Sequence, residues 1–219
     1  KDALVAAVSA DFGRRSRHET LLADIMMVLE DIKDTRKRLA RWMRPKHVAV
    51  DFKAWPASAQ ILYKPLGVVG ILSPWNYPIQ LSLSPLVAAI AAGNHVMLKP
   101  SEHTPKTSAL LATLLAKVFP SERVCVIQGE AEVAQRFSEL AFDHLLYTGS
   151  TAVGKLVMAA AAKNLTPVTL ELGGKSPCLI APDFPIAQAA ERVAQMKHLN
   201  AGQTCIAPDY VLVAKHHVE

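Results

Sequence analysis

The sequence predicts a doubly wound α/β fold, in which a parallel β-sheet carries helices on both faces. From residue 67 onward, short apolar runs alternate with helical stretches of about ten to fifteen residues, the pattern of a parallel sheet. Apolar residues make up 51% of the 219 residues, enough to bury a sizeable core. We therefore expect a folded α/β protein.

Two amphipathic helices are predicted before the sheet, because apolar residues fall at helical spacing from residue 3 to about residue 43. Between residues 47 and 65 the pattern loosens into short alternating pieces around Pro56, which predicts a hairpin or arm. We expect this arm to make oligomer contacts. A plain surface hairpin is the alternative.

The predicted sheet elements alternate strand and helix over residues 67–72, 85–92, 95–98, 108–118, 124–127, 131–140 and 144–147. A further apolar run precedes Glu171. Doubly wound sheets bind ligands beyond the carboxyl ends of their strands. The residues that directly follow each strand are therefore the candidate site residues.

Charge, hydropathy and cysteine usage argue against a nucleic-acid-binding, membrane or disulfide-rich secreted protein. The formal net charge is +5, but the basic residues between Arg14 and Lys46 interleave with acidic ones, which indicates a solvated helix face and no nucleic-acid partner. No apolar stretch approaches the roughly 18 residues of a membrane span, so no membrane partner is expected. Three widely spaced cysteines favour a reducing, cytoplasmic compartment.

The end of the chain carries two adjacent histidines, His216 and His217. We expect them on a strand, where neighbouring side chains point to opposite faces, so one metal ion would not bind both. No metal site is predicted. The chain begins at Lys1 without a methionine or a leader pattern and ends at Glu219 within that expected strand, so we expect a piece of a longer protein.

Polar residues follow the first two predicted strands. Asn76 follows the first, where its amide would donate to a developing oxyanion or simply form a turn. Lys99 and Glu102 flank the end of the second. A carboxylate there can accept from ribose hydroxyls, and a capping turn for the next helix is the alternative.

A glycine-containing turn follows the fourth strand. Gly149 and Ser150 lead into a predicted helix that contains Gly154, and backbone N–H groups at such a helix start favour a phosphate. The turn is close to a P-loop, but Leu156 has no hydroxyl for Mg²⁺, which disfavours an NTPase. The Gly-x-Gly-x-x-Gly dinucleotide fingerprint is also absent.

A nucleophile and a base complete the candidate set. Glu171 precedes the Gly173-Gly174 turn, and Cys205 follows a loop of small residues, so together they could share one pocket. A carboxylate that braces the turn and a buried structural cysteine are the alternatives.

Five motifs occur in order at residues 74–76, 99–102, 148–154, 171–175 and 202–205. Through these motifs the chain resembles the aldehyde dehydrogenase superfamily. Its sequence over residues 148–155 and 200–213 is most similar to the class 3 and coniferyl aldehyde dehydrogenase branch. The resemblance implies a Rossmann-like dinucleotide-binding domain over residues 1–172. It also implies the start of a second α/β, catalytic domain over residues 173–219, with the family's remaining half outside this chain.

The resemblance assigns roles to the candidate residues. It makes Cys205 the nucleophile, Asn76 an oxyanion donor and Glu171 the general base, a role that partial burial would favour. The cofactor is expected to be NAD, with NADP left open. The implied cofactor-binding residues are Trp75, Lys99, Glu102, Gly149, Ser150, Gly154 and Leu172, with Lys99 and Glu102 at the adenosine ribose and Ser150 at the pyrophosphate.

The implied reaction is oxidation of an aldehyde, expected to be hydrophobic or aromatic, through a thiohemiacetal and a thioester to the acid. The full-length protein is expected to form a homo-oligomer, a dimer in this branch. Two alternatives stay open: a semialdehyde dehydrogenase that passes the thioester to coenzyme A, and a catalytically incompetent dinucleotide-binding fragment.

Overall fold

Helices and a hairpin precede the sheet in the computed structural model, which describes residues 1–218. Both predicted helical regions are confirmed, and the second contains a stretch of π-helix. The hairpin is also confirmed, since its two strands pair antiparallel. Its role in oligomer contacts stays a prediction. The elements are α1 (Asp2–Phe12), α2 (Arg17–Glu19), the π-helix Thr20–Met26, α3 (Met27–Trp42), β1 (Lys46–Val48) and β2 (Ala59–Ile61).

Five parallel strands form the central sheet, which confirms the predicted fold class. They are β3 (Val68–Leu72), β4 (His95–Lys99), β5 (Val124–Val126), β6 (His144–Gly149) and β7 (Val168–Leu172). Their order across the sheet is β5-β4-β3-β6-β7. Strands β4 and β5 therefore lie on one side of β3, and strands β6 and β7 lie on its other side. This reversal of strand order creates the crevice at which doubly wound folds bind ligands.

Helices cover both faces of this sheet. Because side chains alternate along a strand, Ile71 faces one layer of helices and Leu72 faces the other. Ile71 belongs to a core cluster with Leu86 and Leu115, whereas Leu72 belongs to a second cluster with Val157. The first layer is α4 (Gln80–Ala91) with α5 (Pro105–Ala116), and the second is α6 (Ala131–Ser138) with α7 (Thr151–Ala162).

Helix α4 begins earlier than predicted. The sequence predicts it over residues 85–92, but the helix begins at Gln80 and contains Pro85. Its start is fixed by Asp24 of the π-helix, whose Oδ1 accepts the N–H groups of Ile79 and Gln80 at 3.1 and 2.9 Å. A capping residue so distant in sequence leaves no local signal.

A second, smaller parallel unit follows the sheet. Strands β8 (Ser176–Leu179) and β9 (Pro208–Leu212) pair in parallel, and α8 (Ile186–His198) lies between them in the sequence. This is consistent with the predicted second α/β unit, whose boundary at residue 173 stays a prediction. Within residues 1–218, no helix combines the length and the apolar character of a membrane span.

The strand predicted at the end of the chain was wrong. Residues Lys215–His217 form a 3₁₀ turn, and the ring centroids of His216 and His217 lie 4.1 Å apart. The two imidazoles are therefore neighbours, and the argument from opposite strand faces does not hold. Glu219 lies outside the described residues.

Candidate active site

A cleft of about 700 Å³ opens at the carboxyl ends of β3, β4 and β6. Its polar lining comes from the segments that directly follow these strands, as the sequence predicts, and includes Trp75, Lys99, Glu102, Gly149 and Ser150. Helices α6 and α7 supply an apolar wall. A cleft with one apolar wall and polar groups at strand ends suits a ligand that carries both rings and charges.

An ion pair lies in this cleft. Lys99 Nζ is 2.8 Å from Glu102 Oε2, and the lysine side chain is only 2% exposed. Partial burial would by itself raise the pKa of Glu102, but the hydrogen bond and the charge of Lys99 outweigh it and leave the pKa below its usual value. The carboxylate is therefore ionised at neutral pH.

The alternative capping role of Glu102 is not seen. The first N–H groups of α5 bond instead to Asp11 of α1, whose two carboxylate oxygens lie 3.0 Å from Lys106 N and 2.8 Å from Thr107 N. Glu102 is thus left to its ion pair with Lys99 at the cleft wall.

Ser150 caps the N-terminus of α7, as its position suggested, and its Oγ accepts from Val153 N at 3.3 Å. The preceding Gly149 is required sterically, because a Cβ there would collide with the Tyr147 hydroxyl. That hydroxyl donates to the Ser150 carbonyl at 3.3 Å, and burial raises the pKa of Tyr147. Tyr147 lines the cleft and was missed by sequence reasoning, although it stands directly before the glycine turn.

Gly154 and Leu172 do not line the cleft but pack against each other behind it. A Cβ on Gly154 would come within 2.8 Å of Leu172 Cδ2. This glycine lets α7 approach β6 and β7 closely, and that approach positions the helix N-terminus at the cleft. Direct contact of either residue with a cofactor stays a prediction.

The loop before Cys205 has an unusual backbone. Asn200 and Ala201 have φ of 50° and 55°, and Gly202 has φ of 78°. Glycine and asparagine tolerate this left-handed region, whereas alanine is strained there. Cys205 itself is exposed, which excludes the alternative of a buried structural cysteine.

Asn76 is held directly against this cysteine loop. Its Nδ2 donates to the carbonyl of Gln203 at 2.9 Å, and the next residue, Tyr77, shares a hydrogen bond of 2.6 Å with the hydroxyl of Thr204. An asparagine amide has two N–H donors. The carbonyl of Gln203 accepts from one of them.

The glycine turn after Glu171 also reaches the cysteine loop. A Cβ on Gly174 would lie 3.7 Å from the carbonyl oxygen of Cys205. Glu171 lies near the end of β7, paired with Thr148, and is exposed, so the partial burial we expected is not seen. Among residues 1–218 its carboxylate accepts no hydrogen bond from the turn, which disfavours the bracing alternative.

No group of three or more His, Cys, Asp or Glu side chains within residues 1–218 is arranged to hold a metal ion. The polar network between Arg15, Glu19, Asn76 and Asn200 was not anticipated from the sequence. Its members are up to 181 residues apart, so no local spacing could have indicated it.

Comparison with known proteins supports one family throughout. The model of the aldehyde dehydrogenase family matches residues 1–219. The protein named "Probable coniferyl aldehyde dehydrogenase" from Pseudomonas aeruginosa is 57% identical over the whole chain, which covers 46% of that relative. The chain thus spans about half the length of the curated relatives it matches.

Solved structures give the same result. An AldH from Staphylococcus aureus, described in a substrate-bound state, superposes with a TM-score of 0.90 at 38% identity over 98% of this chain and 49% of its own. A Mycobacterium tuberculosis aldehyde dehydrogenase in complex with NAD⁺ superposes with a TM-score of 0.88 at 28% identity, over 98% of this chain and 44% of its own. The chain therefore belongs to the aldehyde dehydrogenase family.

Proposed function

We propose that the protein containing this chain oxidises an aldehyde to the carboxylic acid, with a nicotinamide dinucleotide as hydride acceptor. The observation that carries this proposal is the 2.9 Å hydrogen bond from Asn76 Nδ2 to the carbonyl of Gln203, two residues before Cys205. It ties an amide donor to the loop that carries an exposed thiol, and addition of a thiolate to an aldehyde requires such a donor and such a nucleophile.

The cleft fits a nicotinamide dinucleotide. The Lys99–Glu102 pair would hold the adenosine ribose, since an ionised carboxylate accepts from ribose hydroxyls. The N-terminus of α7 after Ser150 would hold the pyrophosphate through free N–H groups. The negative charge of Glu102 favours NAD over NADP, although Lys99 beside it partly offsets that charge. The bound nicotinamide supplies the hydride acceptor for the oxidation.

Cys205 performs the first step of the proposed reaction. Its thiolate adds to the aldehyde carbon and forms a thiohemiacetal whose oxygen carries the negative charge. The second N–H of Asn76 and the backbone N–H of Cys205 stabilise that oxygen. The bond of Asn76 to the carbonyl of Gln203 supports this pairing, because it holds the asparagine amide at the loop that carries Cys205.

Glu171 acts in the second half of the reaction. Loss of hydride leaves a thioester on Cys205, and Glu171 takes a proton from water as that water adds to the thioester carbon. The acid then leaves and the thiolate is restored. The Gly173-Gly174 turn supports this assignment, because its contact with the Cys205 backbone brings the end of β7 toward the loop.

We propose an aromatic or other hydrophobic aldehyde as substrate and a homodimer as the assembly. The substrate rests on the similarity to a protein named for coniferyl aldehyde. The dimer rests on the β1–β2 hairpin, where Phe52 and Trp55 are 81% and 79% exposed, as expected of groups that another subunit covers.

Product analysis of the whole protein tests this function. The wild type should form the acid and reduced cofactor in equal amounts, and Cys205→Ala should form neither. A thioester of coenzyme A as the product would establish the acylating alternative. Cofactor binding without any acid, in a protein whose mass matches this chain alone, would establish the incompetent fragment.

A further inference from the structure

Three hydrogen bonds connect the N-terminal helices to the cysteine loop, and the chain segment between Arg15 and Glu19 closes them into a ring. Arg15 Nη1 donates to the backbone carbonyl of Asn76 at 3.2 Å, and Asn200 Nδ2 donates to the same carbonyl at 2.8 Å. The backbone N–H of Asn200 donates to Glu19 Oε1 at 3.0 Å. Since Arg15 and Glu19 are four residues apart, one short segment of the chain bonds both to Asn76 and to the cysteine loop at Asn200.

Asn200 is the centre of this ring. It is only 3% exposed, and its backbone N–H, its backbone carbonyl and its side-chain amide all form hydrogen bonds. It also begins the left-handed turn that places strained Ala201 before the nucleophile. Such backbone strain persists only where surrounding contacts hold it.

Arg15 also has contacts besides its bond to the carbonyl of Asn76. Its guanidinium lies 5.0 Å from the ring centroids of both Phe12 and Tyr77, and its Nη1 is 3.0 Å from Asp24 Oδ2. Both members of that ion pair are buried. Removal of Arg15 would leave the buried Asp24 carboxylate unpaired, whereas Glu19 is only half-buried and can be changed without leaving a buried charge unpaired.

We propose that Glu19 is a positioning residue for the nucleophile: it holds the left-handed turn at Asn200 so that Cys205 and Asn76 face the same substrate oxygen. This inference rests on the proposed function for its catalytic consequence. Its structural part, that Glu19 orders the loop over residues 199–207, does not depend on the proposed function.

Glu19→Ala in the whole protein is the primary test, and Glu19→Gln is the conservative variant, since its amide oxygen can still accept the Asn200 N–H. We expect Glu19→Ala to lower kcat by about tenfold or more, because small misplacements of reacting groups are costly, and to leave KM for the cofactor unchanged. Glu19→Gln should restore most of the rate. Glu30→Ala is the matched control, since Glu30 is an exposed helical glutamate that, within residues 1–218, pairs only with Lys33, at 3.4 Å.

Two further measurements separate positioning from loss of fold. Hydrogen exchange should rise in residues 199–207 of Glu19→Ala and stay unchanged in the central strands. Alkylation of Cys205 by iodoacetamide, with Cys125 and Cys178 as internal references, should not slow, because alkylation needs an accessible thiol but no aligned amide. If Glu19→Ala folds poorly, Glu19→Asp provides the same test, since it keeps the charge but its shorter side chain draws the carboxylate away from the backbone N–H of Asn200.

Unchanged kcat in Glu19→Ala, or a kcat loss that Glu19→Gln does not restore, would overturn the positioning role. If the wild type proves unable to oxidise any aldehyde, the proposed function fails but the structural part is still decided. Raised exchange at residues 199–207 would then support it, and unchanged exchange would overturn it.

Discussion

Replacement of Asn76 by alanine isolates one donor of the proposed oxyanion site. The structure permits a clean substitution, because Arg15 and Asn200 bond to the backbone carbonyl of residue 76, which alanine keeps. Only the side-chain bond to Gln203 is lost. Loss of one neutral hydrogen bond destabilises a protein by about 1 kcal/mol, so the Tm of the whole protein should fall only slightly.

The effect on the rate should be far larger than the effect on stability. Removal of one oxyanion donor typically costs about 10²–10³ in kcat, or roughly 2.7–4 kcal/mol of transition-state stabilisation. Steady-state kinetics of the whole protein and its thermal melt measure the two quantities separately. KM for the cofactor should change little, because Asn76 lies outside the residues that line the cleft.

Asn164→Ala is the matched control. Asn164 Nδ2 donates to the carbonyl of Glu139 at 2.8 Å, so it loses the same kind of bond at a site away from Cys205. It should alter neither kcat nor KM. If Asn76→Ala retained kcat within about threefold of the wild type, the donor would not act on the transition state and the assignment of Asn76 would be refuted.

The remaining predictions concern the cofactor cleft. Gly149→Ala should weaken cofactor binding and destabilise the fold by about 1–3 kcal/mol, because the new methyl group meets the Tyr147 hydroxyl. Calorimetric titration of the cofactor measures the change in binding, and the double variant with Tyr147→Phe should recover part of the lost affinity. Glu102 has a lowered pKa in the folded protein, so its contribution to stability is present above its ordinary pKa and is lost as pH falls through the lowered value. Unfolding measured at acidic pH should show this dependence in the wild type, and Glu102→Gln should reduce it.

The central sheet could be predicted because its signals are local. Each buried strand is a short apolar run bounded by turn residues, and the parallel order places the segments after β3, β4 and β6 at one edge. Lys99 could therefore be predicted from its place after a strand, whereas Trp75 and Ser150 were implied by the family resemblance; all three line the cleft. The pairing of Asn76 with Cys205 came from the family resemblance, and its catalytic role stays a prediction, although Asn76 does bond to the loop that precedes Cys205.

The parts that could not be predicted depend on contacts between distant segments. Asp24 fixes the start of α4 from 55 residues away, which no helix signal near Pro85 could indicate. Glu19 bonds to Asn200 across 181 residues, and a half-buried glutamate in a helix resembles any solvated one in sequence. The 3₁₀ turn at His216 was also missed, because a short alternating run fits a strand as well as a turn.

The most direct test of the proposed reaction is mass spectrometry of the whole protein, quenched with acid during turnover of an aldehyde with NAD. The thioester predicts that the peptide containing Cys205 gains the mass of the acyl group of the substrate, and that Glu171→Gln raises the fraction acylated because hydrolysis is slowed. An acyl group found instead on Cys125 or Cys178, or full turnover in Cys205→Ala, would contradict the assignment of Cys205 as the nucleophile.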